Sequence, residues 1–162
     1  MIINVLSRTV FNNLMQQHNI NDNTVENYNE VFFISINDTK SSPYYEESWF
    51  KKYHDNVKVL YFDDVENENE TSPTNSGKCV PFSSEMAKDL YEFIKRNVGK
   101  EQVIIHCLAG IARSAGAASV VADMNGVSFA ELKRTNPQIC PNQRVTRLLN
   151  RCRRADTSLN VE

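Results

Sequence analysis

Residues 103–116, "VIIHCLAGIARSAG", change texture twice. An apolar, β-branched run ends in His106 and Cys107. A short stretch around Gly110 follows, and Arg113 and Ser114 then open a run of small residues. This order reads as a buried strand, a tight turn and a helix. Arg113 stands six positions after Cys107, a spacing that Cys79, Cys140 and Cys152 do not share.

The same texture repeats on either side. "IINVLS" (2–7), "VFFISI" (31–36) and "VKVLYF" (57–62) are apolar runs of strand length, and "QVIIH" (102–106) is a fourth. Continuous apolar strands belong to sheets covered on both faces. Helical spacing separates them. Val10, Phe11, Leu14 and Met15 share one face of 8–18, and Met86, Leu90, Phe93, Ile94 and Val98 share one face of a helix that Ser83 or Ser84 caps and Gly99 ends. Arg113 to Met124 is a helix of small residues, stopped at Asn125-Gly126. Ser128 and Glu131 make a capping box for 129–135, and Asn142 caps a last helix with Val145, Leu148, Leu149 and Cys152 inward. Residues 37–56 read as loop with a short helix around Glu46–Tyr53. The expected class is α/β, one domain over 1–162, with a mostly parallel central sheet flanked by helices. Ligands of such sheets sit beyond the carboxyl ends of the strands, which is where Cys107 falls.

The bulk composition narrows the function. The chain has 162 residues, 41% hydrophobic and 23% charged, with a net charge of −2. That is ordinary for a globular protein and gives no basic field for nucleic acid. The cluster Arg151, Arg153 and Arg154 reads as a solvated helical end. No stretch is long and apolar enough for a membrane span or signal peptide, so a cytoplasmic protein with free thiols is expected. The cysteines lack zinc-ligand or disulfide-framework spacing, and no histidine pairs with suitable ligands, so neither metal nor cofactor is expected.

The chemistry follows from the turn. Gly110 permits backbone torsions that a side chain forbids. The successive amides of Leu108, Ala109, Gly110, Ile111, Ala112, Arg113 and Ser114 can converge on one anion, and the helix beginning at Arg113 adds its positive end. The guanidinium fork suits two phosphate oxygens at once. These surroundings favour a thiolate at Cys107, placed to attack phosphorus. The plain alternative is an inert buried thiol.

"HCLAGIARS" resembles the signature of cysteine-dependent protein tyrosine phosphatases, His-Cys-x5-Arg-Ser/Thr. It is most similar to the compact dual-specificity branch, with Ala112 where that branch commonly has serine. The resemblance covers residues 30–152, including "NPQICPNQRVTRLL" before and within the last helix. It implies a phosphatase-like fold. Cys107 is then the nucleophile forming a phosphocysteine, and Arg113 binds phosphate and stabilises the transition state. Ser114 bonds the sulfur, and His106 is a buried support of the loop. It also implies a general acid on a loop after a strand. "VKVLYF" runs into Asp63 and Asp64, of which Asp64 is favoured; Glu66 stays open as a mobile acid. The stretch "DDVENENETSPTNSGK" (63–78), with Glu66, Glu68 and Glu70, is either a lid or a solvated insertion. The implied substrate is a phosphorylated protein or peptide carrying phosphotyrosine, with phosphoserine and phosphothreonine open as well. Two alternatives stand beside it. One is a phosphatase of the same fold acting on an RNA 5′-triphosphate or a phosphoinositide, against which the absence of lysine in the loop and the low basic content speak. The other is a non-catalytic phospho-binding module.

Overall fold

The computed structural model describes residues 1–67 and 78–159. Four strands form one parallel sheet: β1 (Ile2–Ser7), β2 (Val31–Asn37), β3 (Val57–Tyr61) and β4 (Gln102–Cys107). Their spatial order is β1-β4-β2-β3, so β4 and β2 are internal. Phe33 is level with Ile104 and with Val57, and Ser7 is level with Cys107. The carboxyl ends of all four strands therefore lie at one rim of the sheet.

Both faces are covered, which accounts for the unbroken apolar strands. On one face pack α2 (Ser84–Arg96), α3 (Arg113–Met124), α4 (Phe129–Thr135) and α5 (Gln143–Leu159), over a core that includes Phe32, Ile34, Ile36, Leu90, Phe93, Ile105 and Val121. The other face holds α1 (Arg8–Gln17), a single 3-10 turn (Val25–Asn27) and the chain around Phe50, packed as Phe11, Met15, Val25, Phe33, Phe50 and Ile104. The helix caps are local: Ser7, Ser83 and Ser128 each accept from the backbone N–H three residues on. Within the Ser128 box, that bond from the Glu131 backbone is the half observed. A side chain at Gly116 would come within 2.8 Å of Val145 Cβ, so this glycine sets the close approach of α3 to α5.

The expectations hold for the elements and need correction in places. Phe11 and Met15 are buried in α1, whereas Leu14 is half-buried and Val10 exposed; the apolar face is narrower than its four residues suggest. Val98 lies beyond α2 and is exposed, and Cys152 is half-buried. The expected helix around Glu46–Tyr53 does not form. Its backbone donors are claimed by side chains from elsewhere. Ser48 N–H donates to Tyr61 Oη at 3.1 Å, and Lys51 and Lys52 N–H donate to the Asp22 carboxylate at 3.1 and 3.2 Å. Trp49 Nε1 donates to the Ile20 carbonyl at 2.8 Å. The segment is thus an irregular crossover between β2 and β3, pinned to the α1 face. Among the described residues no helix is long and apolar enough to cross a membrane.

Candidate active site

Cys107 ends β4, and the chain turns through Gly110 into α3. Gly110 has φ +70°, and a Cβ there would lie 2.5 Å from both Leu6 C and Ser7 N. Only glycine both takes this conformation and lets the turn sit on the end of β1.

The turn is held by its carbonyls. His106 Nδ1 lies 3.3 Å from the Cys107 carbonyl, and Arg8 N–H donates to the Leu108 carbonyl at 3.2 Å. The carbonyls of Gly110, Ile111 and Ala112 accept from Gln138 Nε2, Cys140 N–H and Asn142 N–H at 3.2, 2.8 and 2.9 Å. A trans peptide places its N–H opposite its carbonyl. With these carbonyls tied back, the N–H groups of Leu108, Ala109, Ile111, Ala112 and Arg113 turn to the other side of the chain, the side of the cleft these residues line. Ala112 caps α3 without a side-chain bond, so the first amides of the helix keep their hydrogens free.

The cleft holds about 370 Å³ and is lined by Cys107, Leu108, Ala109, Ile111, Ala112 and Arg113 on the loop side. Asp38, Tyr44, Asp64 and Cys79 are among the residues facing them. Gly110 and Ser114, also candidates for substrate binding, are not among the cleft-lining residues; both meet the sulfur, as the resemblance implies for Ser114. Gly110 N–H donates to Cys107 Sγ at 3.3 Å, and Ser114 Oγ lies 3.0 Å from it. The Gly110 N–H and the Ser114 hydroxyl thus meet the sulfur from the protein side.

Arg113 is buried to 4% exposure. Its Nη1 donates to the Phe62 carbonyl at 2.8 Å, and its Nη2 lies 2.7 Å from Asp38 Oδ1, a contact of charge without hydrogen-bond alignment. Its Nε–H is buried with no hydrogen-bond partner among the described residues. An orphaned buried donor of this kind is costly until an acceptor reaches it.

His106 is fully enclosed. Its ring packs tilted against Phe11 with centroids 4.3 Å apart, and burial drives its pKa down to about 4. The imidazole is therefore neutral at neutral pH. Since the Cys107 carbonyl can only accept, Nδ1 carries the hydrogen and Nε2 accepts from Ser35 Oγ at 2.7 Å.

The two candidate acids separate. Asp63 is buried and accepts from Thr39 N–H, Thr39 Oγ1 and Val80 N–H at 3.2, 2.8 and 2.8 Å, joining the start of the acidic loop to its end. Asp64 is exposed at the cleft, and its Oδ1 accepts from Asn142 Nδ2 at 2.9 Å. Asn142 does two jobs, since its Oδ1 also accepts from Arg144 and Val145 N–H as the cap of α5. Glu66 is occupied at Gln143 N–H, 3.0 Å away. Glu68 and Glu70, and with them most of the suggested lid, lie outside the described residues.

Sequence reasoning missed Asp38, Ser35 and the second contact of Asn142. Asp38 follows the apolar run of β2 directly, at the rim where ligands bind in parallel sheets; that position was the available signal. No protein-family model matches the chain, and no curated protein matches it.

Proposed function

We propose that the protein is a cysteine-dependent phosphatase of the protein tyrosine phosphatase type, in its compact dual-specificity-like form. It hydrolyses phosphotyrosine in proteins, with phosphoserine and phosphothreonine within its chemical reach. The observation that carries this reading is the cleft that Cys107 and Arg113 share, beside which the buried Arg113 Nε–H has no hydrogen-bond partner among the described residues.

In this mechanism the phosphate sits on the loop amides and the Arg113 fork. Cys107 Sγ, as thiolate, forms a bond to phosphorus while the bond to the tyrosyl oxygen breaks. Asp64 gives its proton to that leaving oxygen. The product is a phosphocysteine and an Asp64 carboxylate. Water then attacks phosphorus, Asp64 takes the water's proton, and the S–P bond breaks. Gly110 N–H and Ser114 Oγ–H meet the negative charge returning to sulfur. Asn142 holds the carboxylate over the cleft. His106 sets the loop carbonyl, and Asp38, at the cleft, holds the guanidinium.

The test is turnover of p-nitrophenyl phosphate and of phosphotyrosine peptides by the purified protein in EDTA. Hydrolysis that vanadate inhibits and that Cys107→Ser removes supports the reading. Full activity in that variant, or none in the wild type, overturns it.

A further inference from the structure

The two outer edges of the sheet are finished differently. On β1, Val5 N–H donates to Asn136 Oδ1, Asn136 Nδ2 donates to the Ile3 carbonyl and Gln138 Nε2 to the Val5 carbonyl, each at 2.9 Å. Side-chain amides thus occupy the groups that another strand would use. On β3, among the described residues, no strand pairs with the outer side.

The polarity of that edge follows from the ladder. Phe33 N–H donates to the Asn56 carbonyl and Phe62 N–H to the Asn37 carbonyl, so even-numbered residues of this stretch face β2. Val57, Val59 and Tyr61 then face outward. Val57 N–H finds the His54 carbonyl at 3.1 Å. Among the described residues, nothing pairs with the outward backbone groups of Val59 and Tyr61. The side chain of Lys58, a residue type that often guards an edge, is tied to Asp89.

This edge leads to the cleft. Tyr61 is followed by Phe62, whose carbonyl holds Arg113, and then by Asp63 and Asp64 at the cleft wall. Beside the edge lies a cavity of about 530 Å³ walled by Tyr45, Phe50, Lys51, Lys52, Tyr53 and Tyr61, among others. The Tyr45 and Tyr61 rings, 6.4 Å apart, also line a smaller hollow with Lys40. The crossover segment that supplies these residues also supplies Asp38 and Tyr44 to the cleft. Glu47 pairs with Lys51 at 3.2 Å, which leaves the charge of Lys40 and Lys52 in excess around these hollows.

Resting on the phosphatase reading, we propose that the free edge of β3 docks one arm of the phosphopeptide substrate as an added strand. The arm's alternate side chains, acidic or aromatic, enter the tyrosine–lysine cavity. Main-chain pairing gives such a site its affinity, and pockets for alternate side chains give it selectivity.

The experiment measures binding of fluorescent peptides to the wild-type protein by anisotropy. Each carries a non-hydrolysable difluorophosphonate analogue of phosphotyrosine. Peptides bear an acidic–aromatic arm on the amino side only, the carboxyl side only or neither. One arm is expected to tighten binding about tenfold, the scale of one or two added hydrogen bonds. N-methylation of that arm at alternate residues is expected to abolish the gain in one register and spare it in the other. In Lys52→Glu the preference for an acidic over an alanine arm is expected to fall severalfold. Equal binding with and without arms overturns the proposal, as does a gain indifferent to N-methylation in both registers. So does a stable dimer whose edge is already filled by a second copy, seen by sedimentation. Turnover of p-nitrophenyl phosphate is followed in parallel. Its absence overturns the phosphatase reading, while the binding series still decides the docking edge.

Discussion

Arg113 and Asp38 form a buried pair at the floor of the cleft, with Nη2 and Oδ1 2.7 Å apart and each side chain under 8% exposed. The pair fixes one prong of the guanidinium, while Nε–H has no hydrogen-bond partner among the described residues. Removing one partner of a buried pair leaves an uncompensated charge, at a cost of about 3–5 kcal/mol. Asp38→Ala is therefore expected to lose roughly that much stability in urea unfolding. Asp38→Asn keeps the shape and is expected to fold better, yet to lower kcat/KM by roughly tenfold or more through a misplaced guanidinium. Unchanged kinetics in a folded Asp38→Asn variant contradict the positioning role.

Asp64 and Asp63 are neighbours with different work. Asp64→Asn is expected to lower kcat on phosphopeptides by roughly 10²–10⁴, the usual worth of general acid–base catalysis, with little change in substrate affinity. Asp63→Asn replaces a carboxylate that accepts three bonds at the root of the acidic loop, and its main expected effect is a lower urea midpoint. Asn142→Leu frees the Asp64 carboxylate and uncaps α5. It is expected to lose both turnover and about 1 kcal/mol of stability. Comparing kcat and KM for the three variants separates these roles.

Gly110→Ala tests the turn itself. A methyl group there meets backbone atoms of Leu6 and Ser7 at 2.5 Å in a left-handed conformation. Strain of this kind costs about 1–3 kcal/mol and shifts the loop amides, so activity is expected to fall more steeply than the melting temperature. Phosphate protection against thermal unfolding, lost in the variant, is the direct readout.

Two histidines give opposite pH dependences. Burial holds His106 at about 4 in the fold, against an ordinary 6.5. The unfolded chain takes up a proton first as pH falls, so the contribution of neutral His106 is present above 6.5 and is lost as pH drops toward 4, at up to about 1.4 kcal/mol per pH unit. At His54 burial acts downward, but bonds to Asp22 and Glu26 at 2.7 and 3.0 Å outweigh it and raise the pKa above 6.5. Its contribution is full below 6.5 and is lost as pH rises through the folded value. Urea midpoints against pH are expected to lose their acid slope in His106→Asn and their alkaline decline in His54→Gln.

The strand–turn–helix around Cys107 was legible because every signal in it is local: β-branched residues, one glycine and a run of small residues. Asp64 came instead from the resemblance, which implies a carboxylate on a loop after a strand; the structure places it at the cleft. Asp38 also stands directly after an apolar strand, but its pairing with Arg113 was not legible, because no short-range pattern joins the two. The crossover around Ser48–Lys52 misled for the same reason. Asp22, Tyr61 and Ile20 decide its conformation from outside. The phosphatase resemblance began with nine residues, "HCLAGIARS". What the structure adds beside it is a loop whose carbonyls are tied back and a cleft that joins sulfur, guanidinium and carboxylate.

The most direct measurement is an acid quench of the protein during turnover of a phosphotyrosine peptide, followed by mass spectrometry of its cysteine-containing fragments. The expected result is one added phosphoryl group on Cys107, absent in Cys107→Ser and accumulating in Asp64→Asn, where water is not activated. Turnover with no phosphoryl group on Cys107, or with the group on another residue, contradicts the account.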